Sequence, residues 1–194
     1  MNITSFSQRD PRWQAELLGT GPITIGRAGC LITSMASLLV DFGVPTDPHR
    51  LNLWLRSHGG YSAGTLFNFR SAAGLGADLA DYVDCARTPA PVDALITALE
   101  GGCGVIIKVD SDPGGTLNPH WVRLVSLSAK SGWIMDPWQL PGGEMIGVHD
   151  YLAPGWNTGR GIFAAAVYTR NGAMAFEALE PRGVHQEELA IRGV

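Results

Sequence analysis

Cys30 follows two closely spaced glycines, Gly26 and Gly29, and a helical pattern begins at once. Leu31, Met35, Leu38, Leu39 and Phe42 recur at three- and four-residue intervals, and Gly43 supplies the stop. The spacing predicts a buried helix with the thiol in its first turn. There the positive end of the helix dipole and the unbonded first-turn amides favour a thiolate, the form of cysteine that attacks a carbonyl. Such a nucleophile needs a base within hydrogen-bond reach, and the base needs an acceptor that fixes its tautomer. His120 and Asp136 are placed to supply both. His120 stands at the mouth of the apolar stretch 121–127, and Asp136 lies near the end of 133–138. The turn sequence Ala129-Lys130-Ser131-Gly132 between them predicts an antiparallel pair of strands. Counting back from that turn puts His120 and Asp136 at the same end of the hairpin.

The elements that must hold these residues follow from the same patterning. Residues 5–25 read as an irregular segment in which Phe6, Trp13, Leu17 and Leu18 can enter a core, while Pro11, Gly19, Gly21 and Pro22 prevent a long helix. Gln8 stands in this segment; a glutamine is most often a solvated surface amide. After the Cys30 helix, Thr46 or Asp47 can cap a second helix with Pro48 in its first turn and Leu51, Trp54 and Leu55 on its apolar face. His49 and His58 are expected on its solvent side. A short helix is expected over 65–73, a strand over 79–83 and a helix over 91–100 ended by Gly101-Gly102. Residues 103–109 read as a buried strand, which makes Cys103 a core residue. Cys85 sits at a strand exit with no base near it in sequence, and neither cysteine is given a role. Residues 110–119 form a loop rich in glycine and proline, and 161–169 read as a closing strand. The domain is expected to span residues 1–170, with 171–194 a tail that is either helical or disordered.

Composition narrows the function. The 194 residues suffice for one sizeable core. A net charge of -4 with scattered lysines and arginines gives no footprint for nucleic acid or an anionic membrane. No apolar run is long enough to span a bilayer, and residues 1–10 lack the basic start and apolar centre of a secretory signal. The expectation is a chain that is cytoplasmic as synthesised, with release by lysis or carriage in a virion left open. An odd count of 3 cysteines argues against a disulfide framework, and no metal-ligand spacing of cysteine or histidine occurs. Neither a phosphate-cradling glycine motif nor a dinucleotide fingerprint is present, so no metal or cofactor is expected.

Several stretches, taken in order, resemble the papain-like cysteine peptidases related to the bacteriocin-processing, double-glycine-leader peptidases. They are Gln8 with Asp10-Pro11-Arg12-Trp13; Ile25-Gly26-x-x-Gly29-Cys30-x-x-Thr33-Ser34; Thr46-Asp47-Pro48 with Leu51-Asn52-x-Trp54-Leu55; Gly59-Gly60-Tyr61; and His120 with Asp136-Pro137. The likeness covers about residues 5–169. It implies an α+β, papain-like fold, with an N-terminal helical part whose Cys30 helix packs on an antiparallel sheet carrying His120 and Asp136. It also implies Cys30 as nucleophile, His120 as general acid/base, Asp136 as the residue orienting the imidazole, and Gln8 as an oxyanion-hole donor beside the Cys30 amide. The chain departs from the family in three respects. No exporter segment accompanies it, so the leader substrate does not transfer; Leu31 follows the cysteine where relatives have glycine or alanine; and Arg123 and Ser126 interrupt an expected apolar strand.

The function expected on this basis is a thiol-dependent hydrolase of amide bonds in peptides or cell-wall peptide. Its partner would be that peptide or peptidoglycan-peptide substrate, with no nucleic acid, no membrane and no oligomeric state specified. The alternatives are a catalytically silent module that holds a peptide in the same cleft and a phage or virion assembly protein that uses the tail as a contact.

Overall fold

The single turn α1 (Ile25–Ala28) runs directly into α2 (Cys30–Asp41). The joint tolerates no side chain: a Cβ on Gly29 would meet the Ile25 carbonyl oxygen at 2.5 Å, and one on Gly26 would meet that of Gln14 at 2.8 Å. The two glycines before the cysteine are therefore packing requirements, and they fix where the helix starts. This computed structural model describes residues 3–128, 131–139 and 143–171. From residue 172 onward the expected tail lies outside the described residues, as do two positions of the expected 129–132 turn.

Of the two capping candidates it is Asp47 that begins α3 (Pro48–Ser57), accepting the Arg50 amide at 2.8 Å with Pro48 behind it. The histidines of α3 have partners. His49 Nδ1 lies 2.6 Å from Glu16 Oε1, and the exposed His58 ring stacks on Trp54 at 4.2 Å. The helix expected over 65–73 does not form as such. Residues 61–67 make a hairpin of β1 (Tyr61–Ser62) and β2 (Leu66–Phe67), and a 3-10 turn follows at Phe69–Leu75. Ala63 and Gly64 both take positive φ, 45° and 83°, which closes the hairpin. The Asn68 side chain then accepts the Arg70 amide and starts the turn later than the apolar spacing suggests.

The remaining elements are β3 (Ala77–Asp84), α4 (Val92–Glu100), β4 (Gly104–Asp110), β5 (Pro119–Leu127), β6 (Gly132–Asp136), β7 (Glu144–Gly147), α5 (Thr158–Gly161) and β8 (Ala164–Arg170). Six strands form one antiparallel sheet in the order β3-β8-β4-β5-β6-β7. The expected hairpin is present as β5 and β6, with Arg123 opposite Met135. The edge strand β7 was not anticipated from the sequence.

Both faces of the sheet are covered. Ile106, Ala166 and Tyr168 meet Met35, Leu38 and Leu39 of α2 and Leu51 and Leu55 of α3 on one side. Val105, Ile107, Val122, Leu124 and Ala165 meet Leu95 of α4 on the other. Each valine, leucine, isoleucine or methionine among them contributes about 1.5–3 kcal/mol when fully buried. This is an α+β architecture with the Cys30 helix lying on the sheet.

Polar contacts set the register of that helix. Ser34 Oγ donates to the Trp121 carbonyl at 3.2 Å, one residue from His120. Arg123 reaches across from β5, donating to the Ser37 carbonyl at 3.1 Å and to Ser37 Oγ at 2.9 Å. Its guanidinium also pairs with Asp41 at 2.7 Å. An arginine that breaks the apolar run of a strand is thus explained: it places a cation at the negative end of α2 and neutralises an acid in the last turn. Burial lowers the Arg123 pKa from its ordinary value, with Asp41 opposing that shift. Asp41→Ala, which leaves that guanidinium buried without its counter-charge, is expected to cost about 3 kcal/mol of stability, read as a lower urea midpoint at unchanged slope.

Candidate active site

Cys30 opens α2, and the first intrahelical bond is the Thr33 amide on the Gly29 carbonyl at 2.9 Å. The amides of residues 30–32 therefore precede the hydrogen-bonded turns and point out of the helix start. His120 stands at the second position of β5 and Asp136 at the last position of β6. His120 Nε2 lies 2.7 Å from Asp136 Oδ1, and both side chains are buried. That leaves Nδ1 unused by Asp136, and Cys30, which lines the same cleft, is among the neighbours that raise the ring's pKa. The order along the site is sulfur, imidazole, carboxylate.

Asp136 is held by four donors. Oδ1 accepts from His120 and from the Trp138 amide at 2.9 Å, while Oδ2 accepts from Tyr151 Oη at 2.6 Å and Gln139 Nε2 at 3.2 Å. Burial opposes its charge, yet the bonds from His120, Tyr151 and the Trp138 amide outweigh burial and lower its pKa from the ordinary 3.8. The same balance acts on His120. Burial alone would depress the ring's pKa, but the bonds with Asp136 and then Cys30 carry it from 6.5 up to about 9. An imidazolium beside a first-turn sulfur is a proton donor poised for a leaving group.

Gln8 is buried, against the ordinary fate of a glutamine. The segment that carries it is tied down on both sides: the Gln8 amide donates to the Pro137 carbonyl at 2.7 Å, and Trp13 Nε1 donates to the Ser7 carbonyl at 2.8 Å. Gln8 Nε2 donates to the Gly26 carbonyl at 3.1 Å, which couples it to the backbone leading into Cys30. One of its two amide hydrogens is used there, Oε1 is buried with no hydrogen-bond partner among the described residues, and Gln8 lines the cleft.

Cys30, His120 and Gln8 line one open cleft of about 670 Å³, with Asp136 behind its wall. The structure thus brings all four sequence-predicted residues together. It adds residues that the sequence reading passed over: Tyr151, whose ring centroid is 5.6 Å from that of His120, and Trp138, Gln139 and Arg27 on the cleft wall. Burial first, then its bond to Asp136, raises the Tyr151 pKa, so its hydroxyl remains a donor. Tyr151 ends a 3-10 turn (Val148–Tyr151) with no apolar periodicity to flag it. A separate hollow of about 490 Å³, walled by Tyr61, Phe67, Phe69 and Tyr82, has neither cysteine nor histidine in its lining. The other cysteines stand apart: Cys85 is a buried thiol whose pKa is raised by burial and then by Asp84, and Cys103 packs against the α4 side of the sheet. Among the described residues no group of three or more histidine, cysteine, aspartate or glutamate side chains could hold a metal ion. No helix among them is long and apolar enough to cross a membrane.

A helix-borne cysteine facing a histidine and an aspartate on an antiparallel sheet is the arrangement of a papain-like α+β fold. Comparison with solved structures agrees. The chain is similar to a putative C39-like peptidase from Bacillus anthracis, with a TM-score of 0.51 and 15% identity, over 88% of this chain and 96% of that one. No family model and no curated protein matches the chain. The fold is that of a C39-like peptidase.

Proposed function

We propose that this chain is a thiol-dependent hydrolase that cleaves amide bonds in peptides or in cell-wall peptide. The observation that carries the reading is the buried His120–Asp136 pair at 2.7 Å, with His120 and Cys30 lining the same open cleft. In the reaction the Cys30 thiolate adds to the scissile carbonyl, and the electron pair of the C=O bond moves onto oxygen. The Gln8 carboxamide and the Cys30 backbone amide donate to that oxyanion. As it collapses, the C–N bond breaks and the His120 imidazolium gives its proton to the departing amine, leaving a thioester. Neutral His120 then takes a proton from water, the oxygen of which attacks the thioester. The C–S bond breaks, a carboxylic acid leaves, and the ion pair is restored. Asp136 keeps the imidazole in one orientation throughout.

Gln8→Ala is expected to lower kcat by about a hundredfold or more with little change in KM, because the donor matters only once the oxyanion exists. Steady-state kinetics of the variant checks this. The direct test of the nucleophile is a limiting amount of iodoacetamide at neutral pH followed by peptide mapping. Cys30 is expected to be labelled first, and prior labelling of Cys85 or Cys103 would defeat the proposal. Parallel digests of casein and purified sacculi separate a general peptidase from one that acts on cell-wall peptide. The latter would meet its substrate after release by lysis or from a virion.

A further inference from the structure

We propose that the cleft selects peptides carrying a carboxylate close to the scissile bond, and that Arg27 is the residue that recognises it. This inference rests on the hydrolase reading above and narrows its substrate. Of the residues lining the cleft, Arg27 alone carries a permanent charge, and no aspartate or glutamate is among them. Two more cations stand against its walls. The Arg9 guanidinium lies 5.0 Å from the ring centroid of Trp138, and the Lys108 ammonium lies 5.8 Å from that of Trp121; both tryptophans line the cleft. Among the described residues none of these three cations is paired with a carboxylate.

The carboxylates nearest in the chain are occupied elsewhere. Asp136 is consumed by its four donors, and Asp110 Oδ1 accepts the amides of Asp112 and Asn118 at 3.0 and 2.9 Å. Asp10 holds Arg12 at 2.8 Å. A chain of net charge -4 therefore places an unpaired guanidinium, that of Arg27, in the lining of the cleft that holds Cys30. A cleft lined by one sign of charge concentrates the opposite sign in its ligand.

Arg27 is better placed than the two flanking cations. It belongs to α1, the turn that runs into Cys30, and the Gly26 carbonyl beside it accepts the Gln8 amide. Cation and thiol thus belong to one continuous stretch of backbone, and the oxyanion donor is hydrogen-bonded to it. A guanidinium also matches a carboxylate in shape, offering two parallel N–H donors. The carboxylate could be the side chain of an acidic residue or the free C-terminus of a short peptide, and the two can be distinguished.

The test needs no substrate, only the rate at which Cys30 is alkylated. Three reagents are compared by mass spectrometry: bromoacetyl-Gly-Glu-amide, bromoacetyl-Gly-Gln-amide and bromoacetyl-Gly-Gln with a free carboxylate. Against the full chain, at least one acidic reagent is expected to modify Cys30 about tenfold faster than the neutral one, an advantage that shrinks with added salt. The faster of the two identifies which carboxylate is read. In Arg27→Gln, a substitution at an exposed position, that advantage is expected to fall at least about threefold, and Arg27→Lys should restore part of it. Equal rates for all three reagents, or an advantage unchanged in Arg27→Gln while Cys30 remains the labelled residue, would overturn the proposal. Labelling of Cys85 or Cys103 ahead of Cys30 by every reagent would instead bring down the hydrolase reading, and this inference with it.

Discussion

Cys30→Ala is expected to abolish amide hydrolysis, with a loss on the order of a millionfold in kcat on any peptide the native chain cleaves. The effect is this large because no other thiol lines the cleft. The Ser111 hydroxyl donates to the Asn118 carbonyl at 3.2 Å, the Tyr151 hydroxyl donates to Asp136, and His120 is held protonated. The half-exposed position of Cys30 at the start of α2 means that truncation removes a sulfur without opening a core cavity, so the variant should fold. A second consequence separates chemistry from damage. His120 owes part of its raised pKa to Cys30, so the ring in Cys30→Ala should titrate below the native value of about 9. Proton NMR of the ring in the native chain and the variant measures that directly. Turnover undiminished in Cys30→Ala would exclude the mechanism.

Asp136→Ala is expected to lower kcat by roughly ten-thousandfold while the thiol stays in place. Burial disfavours the imidazolium and the bond with Asp136 is the largest contact opposing it. Without the carboxylate, the ring's pKa should fall from about 9 toward or below its ordinary 6.5, and the alkaline limb of the activity profile should move down with it. The same pair links stability to pH. The His120 pKa is raised on folding, so its stabilisation is complete below 6.5 and disappears as pH rises through about 9. The Asp136 pKa is lowered, so its share is complete above 3.8 and is lost as acid protonates it below that value. The native chain should therefore be most resistant to urea between these limits, and Asp136→Ala should flatten the dependence at both ends.

What could be read from the sequence was what local periodicity encodes. The three- and four-residue apolar spacing after Cys30 set both the length of α2 and its buried face, because burying one stripe is what a helix on a sheet requires. The turn at 129–132 and the two strands around it were enough to bring His120 and Asp136 to one end of a hairpin, since antiparallel register is counted from the turn. Gln8 is different. Its burial depends on Pro137 and Gly26, residues far from it in the chain, and only the family resemblance singled it out. Tyr151 and Arg27 lay beyond reach for the same reason: a residue in a short turn has no pattern of its own, and its partner is known only once the strands are paired. Arg123 and Ser126 looked like faults in a strand. Arg123 is the tie between β5 and the end of α2, and Ser126 lies exposed where the β5–β6 register shifts. The hairpin at 61–67 was missed because positive φ at Ala63 carries no signature in residue type.

The position of β8 between β3 and β4 has a consequence for the order in which the molecule can be made. During synthesis the ribosome delivers that strand after every other strand of the sheet, so β3 and β4 must wait with bare edges until residues 164–170 emerge. The thiol and the imidazole do not wait for that strand, because α2 and β5 are tied directly through Ser34 and the Trp121 carbonyl and through Arg123 and Asp41. What the arrival of β8 completes is the continuity of the sheet between β3 and β4, not the approach of Cys30 to His120.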